Sequence, residues 1–218
     1  MERIQGLPPI YTANSNVLVL GTFPSEKSRE KKSYYANNGN RFWKVVCDYI
    51  GIGVPDSYED RINLLNQEGI ALWDLIESCE IKGSKDSSIK NPTFNDLKDL
   101  LDKTKIDLII LNGKTALKLF KEHYKGLSID YVVVPHTSAV NATFDVEQWQ
   151  GALLSISNTY RGPIQRFINL CGNNPLYEHK NGNIVINDYA ISRTCVECGV
   201  QRRYLEKAIL SYIKREKL

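Results

Sequence analysis

No stretch of this 218-residue chain approaches the roughly 20 consecutive apolar residues that a membrane-spanning helix needs. The N-terminus lacks the basic-then-apolar pattern of a secretory signal, so the reading is of a soluble intracellular (cytoplasmic) protein that acts as a monomer, without a membrane partner. Cysteine is scarce and scattered. Five residues, an odd number, do not make a disulfide framework. Internal repeats and low-complexity tracts are absent. An excess of charge of one sign is also lacking: 28 Lys/Arg stand against 25 Asp/Glu, a net charge of +3 that does not by itself point to nucleic acid. Its distribution says more. Residues 162–218 hold nine Lys/Arg against five Asp/Glu, so the last quarter of the chain supplies the positive balance. A solvated basic helix and a phosphate-contacting face both fit that excess.

What the chain does have is alternation. Val17 to Leu20 is a short, wholly apolar, β-branched run that reads as a buried strand; Gly21 ends it and Pro24 forbids its continuation. Residues 1–16 read as a lead-in loop. A helix is predicted from about Arg41 to Ile50, stopped by Gly51-Ile52-Gly53, and a second from Ser57 to Gln67. Ile70 to Ile76 is a second strand, in which Asp74 is a carboxyl that is costly to bury without a partner. A helix is expected from Asn91-Pro92-Thr93 with Thr93 as its cap. A strand at 107–111, a helix from Lys114 to Tyr124 and a strand at 129–134 follow. Glu147-Gln148-Trp149 opens a last core helix reaching about Tyr160. Strand and helix in turn predict a parallel sheet with helices on both faces. In such sheets a ligand sits outside the carboxyl ends of the strands. Two polar loops leave such ends: the one after Leu20, and Pro135-His136-Thr137-Ser138-Ala139-Val140-Asn141-Ala142.

The segments Gly21-Thr22-Phe23-Pro24-Ser25, Ser28, Tyr34-Tyr35-Ala36 and Asn40-Arg41-Phe42-Trp43 resemble, in that order, the first motif of the uracil-DNA glycosylase superfamily, and most of all its DNA-deoxyinosine (hypoxanthine-DNA) branch. Gly69 to Ser88 adds to the resemblance, and residues 136–142 resemble the second motif. The resemblance covers roughly residues 15 to 160. It implies a three-layer α/β/α fold on a central, mainly parallel four-stranded sheet, with a core domain at 1–161 and a C-terminal appendage at 162–218. It also implies an enzyme that flips a deaminated base out of DNA, hydrolyses its N-glycosidic bond without a cofactor and leaves an abasic site. On this resemblance Gly21, Phe23, Tyr35 and Asp74 meet the base, Tyr35 by stacking and Asp74 by accepting from a base N–H. Ser25, Ser28, Ser138 and Asn141 contact the DNA, and Val140 is the wedge that fills the gap in the stack. His136 faces the departing base.

The chemistry sets one demand that this sequence meets unusually. Base and sugar part with charge on each, and the protein has to stabilise that charge and place a water. The superfamily's water-activating residue just after the first strand is missing, since Phe23 stands there. The resemblance moves the role to Asn40, whose amide orients a water rather than deprotonating it; as a plain reading of the residues, Asn40 is also a helix N-cap. The last quarter contains Cys171, His179 and Cys195-x-x-Cys198, a set that would suit a structural zinc, or simply free buried thiols, and it ends in a basic amphipathic helix, Gln201 to Lys217. Two other readings stay open: a uracil-active glycosylase of the same fold, favoured by His136, and a non-catalytic nucleic-acid-binding protein, favoured by Phe23. A deaminase or nucleotide hydrolase fits less, because zinc-deaminase spacing is absent.

Overall fold

The computed structural model describes residues 2–50, 52–154, 158–180, 183–200 and 202–216, in two compact units, residues 1–149 and 150–218. Gly51, Gln201 and Lys217, used above as boundaries, lie outside the described residues. Among those described, no helix is long and apolar enough to cross a membrane.

In the first unit the elements are β1 (Arg3–Gln5), β2 (Val17–Gly21), α1 (Glu26–Glu30), α2 (Phe42–Ile50), α3 (Tyr58–Gln67), β3 (Ile70–Asp74), β4 (Ile76–Glu80), β5 (Lys90–Phe94), α4 (Leu97–Asp102), β6 (Leu108–Asn112), α5 (Lys114–His123) and β7 (Asp130–Val134). Then α6 (Val146–Leu154) runs across the division between the units. The central sheet has four parallel strands in the order β3-β2-β6-β7, with Gly21 opposite Asp74 and Leu111 opposite Leu20. Every residue of β2 is buried, so both faces of the sheet are covered. Leu18, Leu20, Ala71, Ile109 and Leu111 pack with Leu97 and Leu100 of α4 and with Ala116 and Phe120 of α5. The alternate residues Val17, Val19, Ile70, Leu72, Leu108 and Ile110 are as deeply buried. The expected four-stranded parallel sheet is present.

Three local expectations are corrected. The run Ile70 to Ile76 is not one strand. After Asp74 the chain turns, Leu75 and Ile76 donate to the Gly21 and Thr22 carbonyls, and β4 enters a second, antiparallel sheet ordered β1-β4-β5. Asn91-Pro92-Thr93 starts no helix but forms β5 beside β4; Asp96 caps α4 instead, accepting from the Asp99 amide. Part of the lead-in is strand, because β1 pairs with β4 and Ile10 bridges to Leu72. An apolar run shows burial but not where a chain switches sheets, and Thr93 and Asp96 compete as caps at the sequence level.

The second unit continues with α7 (Asn158–Cys171), the hairpin β8 (Tyr177–Lys180) and β9 (Asn183–Ile186), then α8 (Asp188–Cys198) and α9 (Arg202–Glu216). Phe167, Cys171, Ala190, Ile191, Leu205, Ala208, Ile209 and Ile213 are all buried there. Helix α7 runs without interruption through Gly162-Pro163. Asn187 caps α8 by accepting from the Ala190 amide, and Gly199 ends it in the left-handed conformation. Part of the terminal positive charge is neutralised locally: Arg166 and Arg193 pair with Glu197, and Arg202 with Asp188 and Glu206.

Candidate active site

From β2 the main sheet connects outward to β3 on one side, and from β6 to β7 on the other. The carboxyl ends of β2 and β6 are therefore the point where the strand order reverses, and there the loops splay apart. A cleft of about 520 Å³ opens at that point. It is lined by the loop after β2, by Asp74 at the end of β3, by residues 84–87 (a single helical turn spans Asp86–Ser88), by Asn112 to Thr115, and by His136 to Val140. The structure thus brings Gly21, Phe23, Ser25, Ser28, Tyr35, Asn40, Asp74, His136, Ser138 and Val140 to one cavity.

The floor is built from close approaches. Gly21 lies against the Asp74 carboxyl: a Cβ on residue 21 would come within 2.2 Å of Asp74 Oδ1. Asp74 is only 5% exposed, and its Oδ2 has no hydrogen-bond partner among the described residues. Burial, reinforced by the nearby Asp86 carboxyl, pushes its pKa from 3.8 up to about 7. Burial raises Asp86 as well, against the opposing effects of a hydrogen bond from Thr22 and of the His136 ring. Phe23 is nearly buried among Ile76, Cys79 and Ile81, under the guanidinium of Arg29.

The wall is Tyr35. Its backbone is left-handed (φ 54°), an uncommon state for a non-glycine residue, and its ring stacks on the fully buried Phe42 at 4.2 Å between centroids. Its hydroxyl accepts from Asn112 Nδ2 at 2.9 Å. Burial, then the Asp74 charge, raises the phenol's pKa. The same Asn112 amide donates to Thr137 Oγ1 and accepts from the Thr137 amide, so one side chain ties the tyrosine to the loop after β7. The sequence reading ends this strand at residue 111 and gives Asn112 no role; a polar residue closing an otherwise apolar strand is the signal that could have found it.

Asn40 lines the cleft, and its Oδ1 accepts from the Phe42 amide at 3.0 Å; it satisfies the first amide of α2 from one residue ahead of the N-cap position, which Arg41 holds. Ser25 caps α1 by accepting from the Ser28 amide. The buried Ser28 hydroxyl meets Ser25 Oγ at 2.9 Å and accepts from the Ala36 amide, which holds the loop in shape.

The loop after β7 is braced from three directions. Arg41 donates to the carbonyls of Ser138, Ala139 and Asn141 and lies over the Phe144 ring, while its amide donates to the Thr137 carbonyl. Arg41 is a second residue to which sequence reading gave no task. Asn141 is 8% exposed and faces inward. It donates to the His136 carbonyl and accepts from the Thr143 amide and hydroxyl, so its side chain shapes the loop rather than reaching out toward phosphate. Glycines let the neighbours close in: a Cβ on Gly113, at φ +106°, would come 2.8 Å from His136 Cβ, and one on Gly39 2.8 Å from Ala139 Cβ. Held in this way, the loop presents Val140 at its tip, 87% exposed. Lys27, Lys85 and Lys114 add cations to the cleft lining.

The expected zinc set does not assemble. Cys171 is buried in α7, His179 sits on the hairpin, and Cys195 and Cys198 are one turn apart in α8. Among the described residues no three His, Cys, Asp or Glu side chains converge as metal ligands. Burial raises the pKa values of the Cys171 and Cys195 thiols, which opposes the thiolate form that zinc needs.

A profile of the uracil DNA glycosylase superfamily matches residues 8–152. A hypoxanthine DNA glycosylase of Methanosarcina acetivorans is 34% identical over 142 residues, 64% of this chain and 89% of the relative. One from Methanosarcina barkeri is 33% identical over 114 residues, 51% of this chain and 72% of the relative. A solution NMR structure from Methanosarcina acetivorans, described as a candidate uracil DNA glycosylase, superposes with a TM-score of 0.62 at 31% identity, over 70% of this chain and 97% of that one. The fold, the cleft at the strand ends and the match over most of the first unit agree: the chain belongs to the uracil DNA glycosylase superfamily.

Proposed function

We propose that the protein is a monofunctional DNA glycosylase that flips a deaminated nucleotide out of the helix and hydrolyses its N-glycosidic bond, with hypoxanthine the preferred base. The observation that carries this reading is the pairing of an 87% exposed Val140, on a loop rigidly braced by Arg41 and Asn141, with a cleft beside it walled by the stacked ring of Tyr35 and floored by Asp74. An exposed apolar tip has little use on a small-molecule enzyme, whereas a base flipper needs a wedge to fill the vacated stack. The two relatives named as hypoxanthine DNA glycosylases support the choice of base.

In this reading the base slides onto Tyr35, which is pre-positioned by Phe42 and Asn112 and loses little freedom on binding. Gly21 and Phe23 allow it to reach Asp74, which meets its N1–H edge. Asn40 orients the attacking water under the sugar, and His136 faces the charge leaving with the base. Ser25, Ser138, the backbone held by Asn141 and the lysines at the cleft grip the phosphates on either side, while the buried Ser28 holds the loop that carries Ser25. Water adds across the C1′–N9 bond: its oxygen joins C1′, and its proton is released to the base or to solvent. No bound cofactor enters that balance. Uracil is the second reading, favoured by His136 in the cleft.

Labelled duplexes with one hypoxanthine, one uracil or a G:T mismatch, treated with alkali after incubation, test this. Breakage at hypoxanthine that Asn40→Ala abolishes is expected. Breakage at uracil alone moves the protein to the second reading. DNA binding without breakage in any duplex points to a non-catalytic binder.

A further inference from the structure

Asp74 is an odd base reader. It is almost fully buried, one of its oxygens has no partner, and its neighbours offer no compensation. The titratable groups facing it are Asp86 from the turn at 86–88 and the phenols of Tyr34 and Tyr35 from the loop after β2. One is a second carboxyl, and the other two are held neutral by burial. His136, a basic side chain of the cleft, acts on Asp86. A carboxylate in that place would be desolvated and repelled.

The protonated form suits the site chemically. A neutral carboxyl holds a donor O–H and an acceptor C=O side by side. A lactam edge, such as N1–H and O6 of hypoxanthine, presents the complement at the same spacing. We propose that Asp74 works as a neutral carboxylic acid, accepting from the ring N–H and donating to the lactam oxygen of the flipped base, and that Asp86 is the positioning residue that keeps the proton on it. This rests on the glycosylase reading above and deepens it. It defines the substrate class as bases with adjacent ring N–H and carbonyl groups, which takes in hypoxanthine and uracil. When the C1′–N9 bond breaks, its electron pair leaves with the base and charge spreads onto the lactam oxygen. The hydrogen bond that the Asp74 O–H donates to this oxygen strengthens at that moment, without transfer of the proton. An ionised Asp74 would oppose the same charge. The close approach of Gly21 fixes the carboxyl against the strand end, where Asp74 lines the cleft and its Oδ2 is left without a partner among the described residues.

The test is single-turnover excision of hypoxanthine from a duplex by the full chain across about pH 5.5 to 9, for wild type, Asp74→Asn and Asp86→Asn. The wild-type rate is expected to fall about tenfold per pH unit on the alkaline side, following loss of the Asp74 proton. Asp74→Asn carries a donor and an acceptor at every pH. It should retain a rate within roughly tenfold of the wild-type optimum and lose the alkaline fall. Asp86→Asn removes the repelling carboxyl, so Asp74 gives up its proton more readily and the fall moves to lower pH. A purely structural role for Asp86 would change the rate without moving the profile. An alkaline fall that survives in Asp74→Asn, or a folded but inactive Asp74→Asn, overturns the proposal and leaves the glycosylase reading standing. A wild type that releases neither hypoxanthine nor uracil overturns that reading, and the proposal with it.

Discussion

Replacing Asp74 by Asn also has a consequence for folding that needs no substrate. In an unfolded chain this carboxyl titrates near 3.8; in the folded protein, burial and then Asp86 push it to about 7. Between those values the folded state holds a proton that the unfolded state has released. Stability therefore falls as pH rises through that interval and levels off above it. The asparagine does not titrate and escapes this loss. Each pH unit in the interval is worth about 1.4 kcal/mol. Between about pH 5 and about pH 8.5, the wild type should then lose about 3 kcal/mol that the variant keeps. Asp74 is essentially buried, so solvent screening takes little from this figure. Urea unfolding of both proteins at the two pH values measures it directly. The advantage of Asp74→Asn should grow by that amount at the higher pH. An advantage of equal size at both values would refute the argument, because it would mean that Asp74 ionises in the folded state as easily as in the unfolded one.

Other perturbations follow from the same geometry. Gly21→Ala places a methyl where Asp74 Oδ1 lies, and should cost about 1–3 kcal/mol of stability and most of the excision activity, measured by urea unfolding and alkali incision. Val140→Ala trims a side chain that is 87% exposed and should leave stability within about 0.5 kcal/mol, while slowing excision from duplex roughly tenfold more than from single strands, where no stack has to be filled. Arg41→Ala removes the donor to three carbonyls of the wedge loop, and is expected to lower single-turnover excision about a hundredfold, with part of the loss recovered by Arg41→Lys. Cys195→Ser with Cys198→Ser should leave the unfolding midpoint unchanged, and metal analysis of the purified wild type should find less than stoichiometric zinc.

Much of this molecule is legible in the sequence because its signals are local. The wholly apolar Val17–Leu20 run, with Gly21 and Pro24 behind it, reads as a buried parallel strand because burial on both faces leaves no polar alternation. Asn40 ahead of Phe42-Trp43 marks a helix start, since a short side chain can satisfy a free amide there. The odd carboxyl in Ile70–Ile76 is visible as a group with no local means of compensation. Tertiary structure decides whatever depends on residues far apart in the chain. It ends β3 at Asp74, because Leu75 and Ile76 find partners in Gly21 and Thr22, some 50 residues away. It turns Asn141 inward, although a polar residue in an exposed loop would be expected to face solvent, because the His136 carbonyl and Thr143 need its amide. It assigns Arg41 to a loop nearly 100 residues further along. It scatters Cys171, His179 and the Cys195–Cys198 pair, whose spacing alone suggested a metal site. And it sets Asp86 beside Asp74. Sequence records which groups a chain carries, but the proton that one carboxyl keeps depends on the burial and the second carboxyl that only the folded chain supplies.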